Sequence, residues 1–304
     1  MTPLLSVRNL SLSFPGNGGK ALPVLHDLDL QVRPGEILAV AGSSGSGKSL
    51  LASAILGILP KNARLEGEMI YDGSPLTPER QEILRGSEIA LVPQSVSFLD
   101  PLMKVGRQVD KNPRSKEKRR SLFKKLQLPE KTGNLYPFQL SGGMARRVLV
   151  STAMLSGCRL VIADEPTPGM SLVQARAALS LFRQMADEGA AVILITHDID
   201  LAFDFADRIS IFYAGTTVET QPAENFRRGP EYLCHPYSRA LWNALPQNGF
   251  TPIPGSQPYA GTVTRGCVFA PRCPMAGDKC PVQIPPSVKA GEGEVRCFYG
   301  TERP

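Results

Sequence analysis

A glycine-rich octapeptide, Gly42-Ser43-Ser44-Gly45-Ser46-Gly47-Lys48-Ser49, is the feature that most restricts what this chain can fold into. It follows a short apolar run at residues 36–41 and precedes a nearly continuous apolar stretch at residues 50–59. A strand, a glycine loop and a helix, in that order, are the context in which G-x-x-x-x-G-K-[ST] binds phosphate. The glycines let consecutive N–H groups point into one concavity at a helix N-terminus. We expect Lys48 to reach the β- and γ-phosphates of a nucleotide and the Ser49 hydroxyl to bind Mg²⁺.

Composition restricts the class of protein further. The chain has 304 residues, 42% hydrophobic and 20% charged, which indicates a soluble globular protein of roughly two domains. No apolar run approaches the ~18 residues that span a bilayer, and the N-terminus lacks the layout of a signal peptide. The net charge of +6 comes without a nucleic-acid-binding motif. Solubility or attraction to an anionic membrane surface therefore explains the charge better than nucleic acid does.

Polar side chains follow several of the buried apolar runs that we predict to be strands. Open α/β sheets place their ligand contacts at the carboxyl ends of such strands. The amide of Gln94 could coordinate Mg²⁺ or the attacking water, and Asp164 could hold Mg²⁺ beside Ser49. Glu165, the next residue, could polarise the water. Two adjacent carboxylates at a strand end would repel each other without a nearby cation, which favours a functional role for this pair. His197 could bond the γ-phosphate and orient the water, although a lone histidine is more often structural.

A second anion-binding helix start is predicted at Ser141-Gly142-Gly143, where a serine cap is followed by two glycines. Because the chain has only one nucleotide loop, the simplest explanation is that this helix start serves a nucleotide held by another chain. An ordinary capped helix would not need two glycines in its first turn. Phe14, at the end of a predicted strand, is a candidate platform for the adenine ring and equally a candidate core aromatic.

Taken in this order, the nucleotide loop, Gln94, L-S-G-G-M at residues 140–144, L-V-I-A-D-E-P-T at residues 160–167 and His197 resemble the ATP-binding subunit of an ABC transporter. The resemblance covers residues 1 to about 225. It implies an α/β fold, with a P-loop NTPase core, an antiparallel β subdomain and an inserted α-helical subdomain at about residues 95–155. It also implies a head-to-tail dimer in which each ATP lies between one chain's nucleotide loop and the other chain's L-S-G-G helix. In such a dimer, Glu165 activates the water, and closure of the dimer moves the membrane subunits.

The tail narrows the resemblance, and we expect an ATP-binding domain at residues 1–230 and an extension at 231–304. Residues 235–241 and 266–274 resemble the H-P-Y-T-x-x-L and G-C-x-F-x-x-R-C-P segments of peptide and nickel importer ATPases. In that family the matching cysteines hold a [4Fe–4S] cluster; here they are Cys267, Cys273, Cys280 and Cys297. From the residues alone, four thiolates suit such a cluster or tetrahedral zinc, and the thiols could also be free or disulfide-bonded. The wide gaps of five, six and sixteen residues favour iron–sulfur.

One residue departs from the family pattern. The segment after D-E-P-T ends in Leu-Asp in the family, whereas Ser171 stands at the aspartate position here. The aspartate contacts the opposite ATP site, so the departure predicts a heterodimer whose two sites differ in activity.

The sequence thus predicts an ATPase subunit that powers an importer for peptides, nickel or a metal chelate. The expected partners are a second ATP-binding subunit, two transmembrane permease subunits and, indirectly, an external substrate-binding protein. The expected location is the cytoplasmic face of the bacterial inner membrane. The competing hypothesis is a soluble or regulatory ABC-type ATPase whose cysteine tail senses metal.

Overall fold

The fold is described from a computed structural model, for residues 2–16, 20–110, 115–259, 262 and 265–300. Within those ranges, no helix has both the length and the apolar character needed to cross a bilayer. The strands are β1 (Leu5–Pro15), β2 (Ala21–Val32), β3 (Ile37–Gly42), β4 (Arg64–Tyr71), β5 (Ser74–Pro75), β6 (Ile89–Val92), β7 (Leu160–Asp164), β8 (Ala191–Thr196), β9 (Arg208–Tyr213), β10 (Thr216–Pro222), β11 (Val288–Ala290) and β12 (Gly293–Val295). The α-helices are α1 (Lys48–Leu56), α2 (Pro78–Leu84), α3 (Val105–Val109), α4 (Lys116–Lys125), α5 (Gly142–Met154), α6 (Leu172–Asp187), α7 (Ile199–Phe205), α8 (Ala223–Arg228) and α9 (Pro236–Asn243).

The larger sheet has the strand order β11-β12-β10-β9-β3-β8-β7-β6. Strands β9, β3, β8, β7 and β6 run parallel, so their carboxyl ends meet at one edge. Alternate residues of β3 enter two different hydrophobic cores, one with helices α5 and α6 and the other with α1 and the second sheet. Burial on both faces explains why these strands are apolar without alternation.

The second sheet is antiparallel, with the order β2-β1-β4-β5. Its antiparallel β1–β2 and β1–β4 pairs agree with the antiparallel β subdomain that the family resemblance implies. Strands β9 and β10 also pair antiparallel, on either side of Gly215.

A helical region connects β6 to β7, which are neighbours in the larger sheet. It contains α3, α4 and α5 and several 3-10 turns, in agreement with a helical insertion at about residues 95–155. The guanidinium of Arg147 donates to the carbonyl oxygens of Leu126 (2.9 Å) and Gln127 (3.0 Å), which ties α5 to the end of α4. The exact domain boundaries stay a prediction.

The segment after residue 230 is packed onto the larger sheet. Strand β12 pairs antiparallel with β10, and β11 adds one further strand. Arg296 reaches the smaller sheet, where it bonds the backbone oxygen of Asp27 and the carboxylate of Asp29, each at 2.8 Å. The extension therefore contacts both sheets of the ATP-binding domain.

Candidate functional site

The nucleotide loop lies where the sequence predicts it, between the end of β3 and the start of α1. Gly47 has φ +97°, and a Cβ there would lie 2.5 Å from the side chain of Leu25. Gly42 has φ +156°, and a Cβ there would meet the backbone oxygen of Phe212 on the adjacent strand. Both positions therefore require glycine, for lack of space as well as for backbone conformation.

Lys48 points into this loop. Its Nζ donates to the backbone oxygens of Gly42 and Ser43, each at 2.9 Å, and to the Ser46 hydroxyl at 3.3 Å. Burial lowers the pKa of Lys48, while the carboxylates of Glu165 and Asp164 act to raise it. A cation held there is the group that the β- and γ-phosphates of a nucleotide require.

Ser49 and Asp164 come together as predicted. The Ser49 hydroxyl donates to Oδ1 of Asp164 at 3.1 Å, from the first turn of α1 to the end of β7. Burial raises the pKa of Asp164, and the neighbouring Glu165 raises it further. Hydroxyl and carboxylate oxygens are the hard donors that Mg²⁺ prefers, so these two residues fit that ion. Gln94 follows β6 at the same edge of the sheet, and its side chain is exposed.

Glu165 and His197 also meet. Oε2 of Glu165 lies 2.7 Å from Nδ1 of His197, a close contact that is not aligned as a hydrogen bond. Glu165 has φ +49°, in the left-handed region that a non-glycine residue seldom occupies. The guanidinium of Arg146 donates to the Glu165 backbone oxygen at 2.6 Å. Arg146 is a residue that sequence reasoning missed, although it lies two residues after the L-S-G-G-M segment.

Ser141 caps helix α5 and is exposed. Its hydroxyl accepts the N–H of Met144 at 3.3 Å, and within the described residues its hydrogen bonds stay inside its own helix. Gly142 is exposed in the first turn of α5, and a Cβ on Gly143 would lie 3.0 Å from the backbone oxygen of Gly169. The structure thus leaves the second anion-binding helix start free to contact another molecule.

Two further predicted residues have plain structural contacts. Phe14 lies near the end of β1 opposite Leu22 and packs, half-buried, against the core of the smaller sheet. Its role as an adenine platform stays a prediction. Ser171, at the position of the expected aspartate, caps helix α6 through a reciprocal bond pair with Gln174 (3.3 and 3.4 Å). Serine in place of the family's aspartate therefore still caps the N-terminus of α6.

The four tail cysteines line one small cavity together with Phe269 and His235. Burial raises the pKa of Cys267 to about 11 and also raises the pKa values of Cys273 and Cys297, which favours neutral thiols. Cys280 is buried, and none of the four forms a disulfide. Across the described ranges, no three or more His, Cys, Asp or Glu side chains are arranged to hold a metal ion.

The structure therefore does not support the predicted [4Fe–4S] cluster, or zinc, in a metal-binding extension. The four cysteines line one cavity all the same. Holding a metal ion requires the ligands to be arranged around it, which is a stricter condition than being close together. The spacing of the cysteines along the sequence could not establish that arrangement.

Comparisons with known proteins agree with the nucleotide-binding site described above. A family model described as ABC transporter matches residues 25–168, and another described as oligopeptide/dipeptide transporter, C-terminal region, matches residues 218–280. The oligopeptide transport ATP-binding protein OppD of Escherichia coli is 34% identical over 98% of this chain and 94% of its own length. OppD of Haemophilus influenzae is 33% identical over 100% of this chain and 99% of its own length.

Solved structures of ABC ATP-binding cassettes also superpose on this chain. The dimeric structure of a post-hydrolysis state of the ATP-binding cassette MJ0796, bound to ADP and Pi, superposes with a TM-score of 0.64. It is 25% identical and covers 72% of this chain and 98% of its own. A structure of the ATP binding subunit of an ABC transporter superposes with a TM-score of 0.63, at 25% identity over 74% of this chain and 92% of its own.

Proposed function

This chain belongs to the family of ABC transporter ATP-binding proteins, and on that premise we propose that it hydrolyses ATP to power the import of peptides. The observation that carries the proposal is the convergence of Lys48, Ser49, Asp164, Glu165 and His197 at one sheet edge. The match to OppD proteins over nearly the whole chain supports peptides as the substrate class. A nickel or metal-chelate substrate has no comparable support.

The chemistry of the site follows from its contacts. The loop N–H groups and Lys48 would bind the phosphates, and Ser49 and Asp164 would hold Mg²⁺, which would neutralise phosphate charge. Glu165 is the general base and would accept a proton from the attacking water. His197, whose Nδ1 lies 2.7 Å from that carboxylate, would bond the γ-phosphate and orient the water. Gln94 completes the set as a further oxygen donor at the same edge.

The site becomes complete, in this proposal, only in a dimer of ATP-binding chains. Ser141 and Gly142 are exposed at the N-terminus of a 13-residue helix, and in the described part of the chain no hydrogen bond joins them to their own nucleotide loop. The dimeric state of MJ0796 is in accord with this arrangement. Ser171 lacks the carboxylate expected at its position, which favours a heterodimer with two unequal ATP sites.

The membrane partners would be two transmembrane permease subunits, with an external substrate-binding protein acting through them. Three exposed apolar side chains on the helical region support such a contact: Phe98 (63% exposed), Leu102 (88%) and Phe138 (75%). A hydrogen bond from the Val105 N–H to the Leu135 backbone oxygen, at 2.9 Å, joins the two segments that carry them. Docking there would hold the chain at the cytoplasmic face of the inner membrane.

A metal centre in the tail is a separate hypothesis. The convergence of the four cysteines on one cavity favours it, and the lack of a ligand group in the described residues weighs against it. Absorbance near 400 nm and iron content in the anaerobically purified chain decide the matter. A colourless, iron-free and zinc-free chain that binds ATP normally would exclude the metal and, with it, the alternative of a metal-sensing ATPase.

The test of the function is peptide uptake by vesicles that contain the complete transporter. Glu165→Gln should lower ATP turnover at this chain's site by about 10²–10⁴-fold, the usual contribution of a general base, and should stop uptake. Glu82→Gln, on the exposed side of α2, is the matched control and should leave both unchanged. Comparison with the equivalent change in the partner chain identifies which site works. Normal turnover and uptake in the Glu165→Gln transporter would refute the proposal.

A further inference from the structure

The backbone of Glu165 has an unusual conformation directly after strand β7. Its φ angle is +49°, in the left-handed region where the Cβ of a non-glycine residue crowds the following carbonyl oxygen. A conformation of this kind costs free energy and persists only where the surrounding contacts hold it. Because Glu165 is the proposed general base, the contacts that hold its backbone also bear on its chemistry.

Both polar groups of this backbone have a partner on another element. The Glu165 N–H donates to the backbone oxygen of Ile195, on β8, at 2.9 Å, and so extends the parallel pairing of β7 with β8. The Glu165 backbone oxygen accepts from Nη1 of Arg146, on α5, at 2.6 Å. The φ and ψ rotations of Glu165 lie between these two groups. Anchoring both groups therefore leaves the residue little freedom to leave the left-handed region.

The carboxylate depends on this backbone for its position. Glu165 is 8% exposed, and its Oε2 is buried without a hydrogen-bond partner among the described residues. Nδ1 of His197 lies 2.7 Å from Oε2 but is not aligned to donate to it. Since no aligned hydrogen bond within that part of the chain fixes Oε2, its place beside His197 follows from the conformation of the backbone.

Arg146 reaches Glu165 from a well-anchored helix. Its neighbours Ala145 and Val148 are buried in the hydrophobic core that α5 shares with the larger sheet. Arg146 itself is only half-buried, so its replacement removes the hydrogen bond without opening a cavity in that core. A donor that carries a positive charge also makes a stronger hydrogen bond than a neutral one.

We propose that Arg146 is a positioning residue for ATP hydrolysis, which holds the backbone of Glu165 in the conformation that places its carboxylate beside His197. The inference rests on the proposed function, in which Glu165 is the general base, and adds the residue that fixes this base. A general base contributes only when it lies within hydrogen-bond reach of the water. Loss of the bond from Arg146 should therefore slow the chemical step. ATP binding, which depends on Lys48 and the nucleotide loop, should stay unchanged.

The test compares Arg146→Met with Arg146→Lys and with a matched control, Arg159→Met. Arginine, lysine and methionine all favour helices, so α5 keeps its propensity. Methionine removes the donor, whereas lysine keeps a charged donor on a side chain one bond shorter. Arg159 precedes β7 at the end away from Glu165, and its guanidinium donates to the carboxylate of Asp72 at 2.8 and 3.1 Å. The control thus loses arginine hydrogen bonds at the other end of the same strand.

ATP affinity is measured by titration of the purified full chain. KM and kcat for ATP are measured on the assembled transporter, with the general base of the partner chain changed to glutamine so that turnover reports this chain's site. We expect Arg146→Met to lower kcat about ten- to hundredfold, as the loss of a hydrogen bond from a charged donor would, with KM and the dissociation constant within about twofold of wild type. Arg146→Lys should recover most of the lost rate, and Arg159→Met should change none of the constants.

Three outcomes would show the inference to be wrong. They are a wild-type kcat in Arg146→Met, a loss of ATP affinity as large as the loss of kcat, and a lysine variant no faster than the methionine variant. Arg146→Gln, whose amide is two bonds shorter than the guanidinium, provides the same comparison if the methionine variant is poorly folded.

A double-mutant cycle tests whether Arg146 acts through Glu165. In single-turnover hydrolysis, adding Arg146→Met to Glu165→Gln should slow the reaction no further, because the base that Arg146 positions is already gone. A further loss as large as the one in the wild-type background would contradict this link. If Glu165→Gln itself turns over normally, the proposed function fails instead, so the two failures are distinguishable.

Discussion

His235→Asn tests whether the buried histidine of the extension makes the fold sensitive to acid. His235 is 1% exposed and begins helix α9, where its Nδ1 accepts the N–H of Tyr237 at 3.0 Å. Burial lowers the pKa of His235 to about 3, and the charge of Arg239 acts in the same direction. Asparagine is a preferred helix cap and offers an acceptor oxygen in place of Nδ1.

The magnitude follows from the pKa. The folded state excludes the proton, whereas an unfolded chain takes it up below the ordinary histidine pKa of about 6.5. The contribution of His235 is therefore fully present above that pH and falls by about 1.4 kcal/mol per pH unit toward the folded value. At pH 5 the wild type should have lost about 2 kcal/mol that the asparagine variant keeps.

The assay is urea unfolding at pH 7.5 and pH 5, followed by the fluorescence of Trp242, the single tryptophan of the chain. Trp242 lies on α9, and its indole N–H bonds the Phe226 backbone oxygen at 2.8 Å, so it reports on this helix. At pH 7.5 the variant should be less stable by about 1–2 kcal/mol, because the smaller side chain leaves a cavity. That difference should vanish or reverse at pH 5. Equal differences at the two pH values would refute the reasoning.

Three further results are expected. Lys48→Ala should abolish detectable ATP binding in a nucleotide titration, because it removes the ammonium held at 2.9 Å by the Gly42 backbone oxygen; binding within tenfold of wild type would contradict its role. Ser171→Asp should keep the cap of α6 and change the free energy of unfolding by less than about 0.5 kcal/mol. It should also raise ATP turnover of the assembled transporter. Unchanged turnover would show that Ser171 is not the cause of unequal activity at the two ATP sites. Gly143→Ala would bring a Cβ 3.0 Å from the Gly169 backbone oxygen, so turnover of the transporter should fall while ATP affinity of the isolated chain stays normal.

The nucleotide side of the site could be predicted from the sequence because its geometry follows from topology. Parallel strands end at one edge, so polar residues after apolar runs had to converge there, and Ser49, Asp164, Glu165 and His197 do. The chain order of the motifs was therefore sufficient for this half of the site.

The contacts of the extension could not be predicted in this way. Gln257 follows no strand or helix pattern, and its bond to Ser43 joins residues 214 positions apart. Strands β11 and β12 have three residues each, too few for a periodicity to be recognised. The cysteine spacing led to the expectation of a metal cluster, but the spacing of residues along the chain does not establish how their side chains are arranged around an ion.

The pairing of β12 with β10 has a consequence for any shortened version of the protein. A chain cut near residue 230 would keep every nucleotide-binding motif and yet leave the backbone of β10 unpaired along one side, where Glu219 and Thr220 now face β12. Unpaired strand edges invite pairing with other molecules. Such a fragment should self-associate in solution, even though it keeps every residue of the nucleotide-binding motifs.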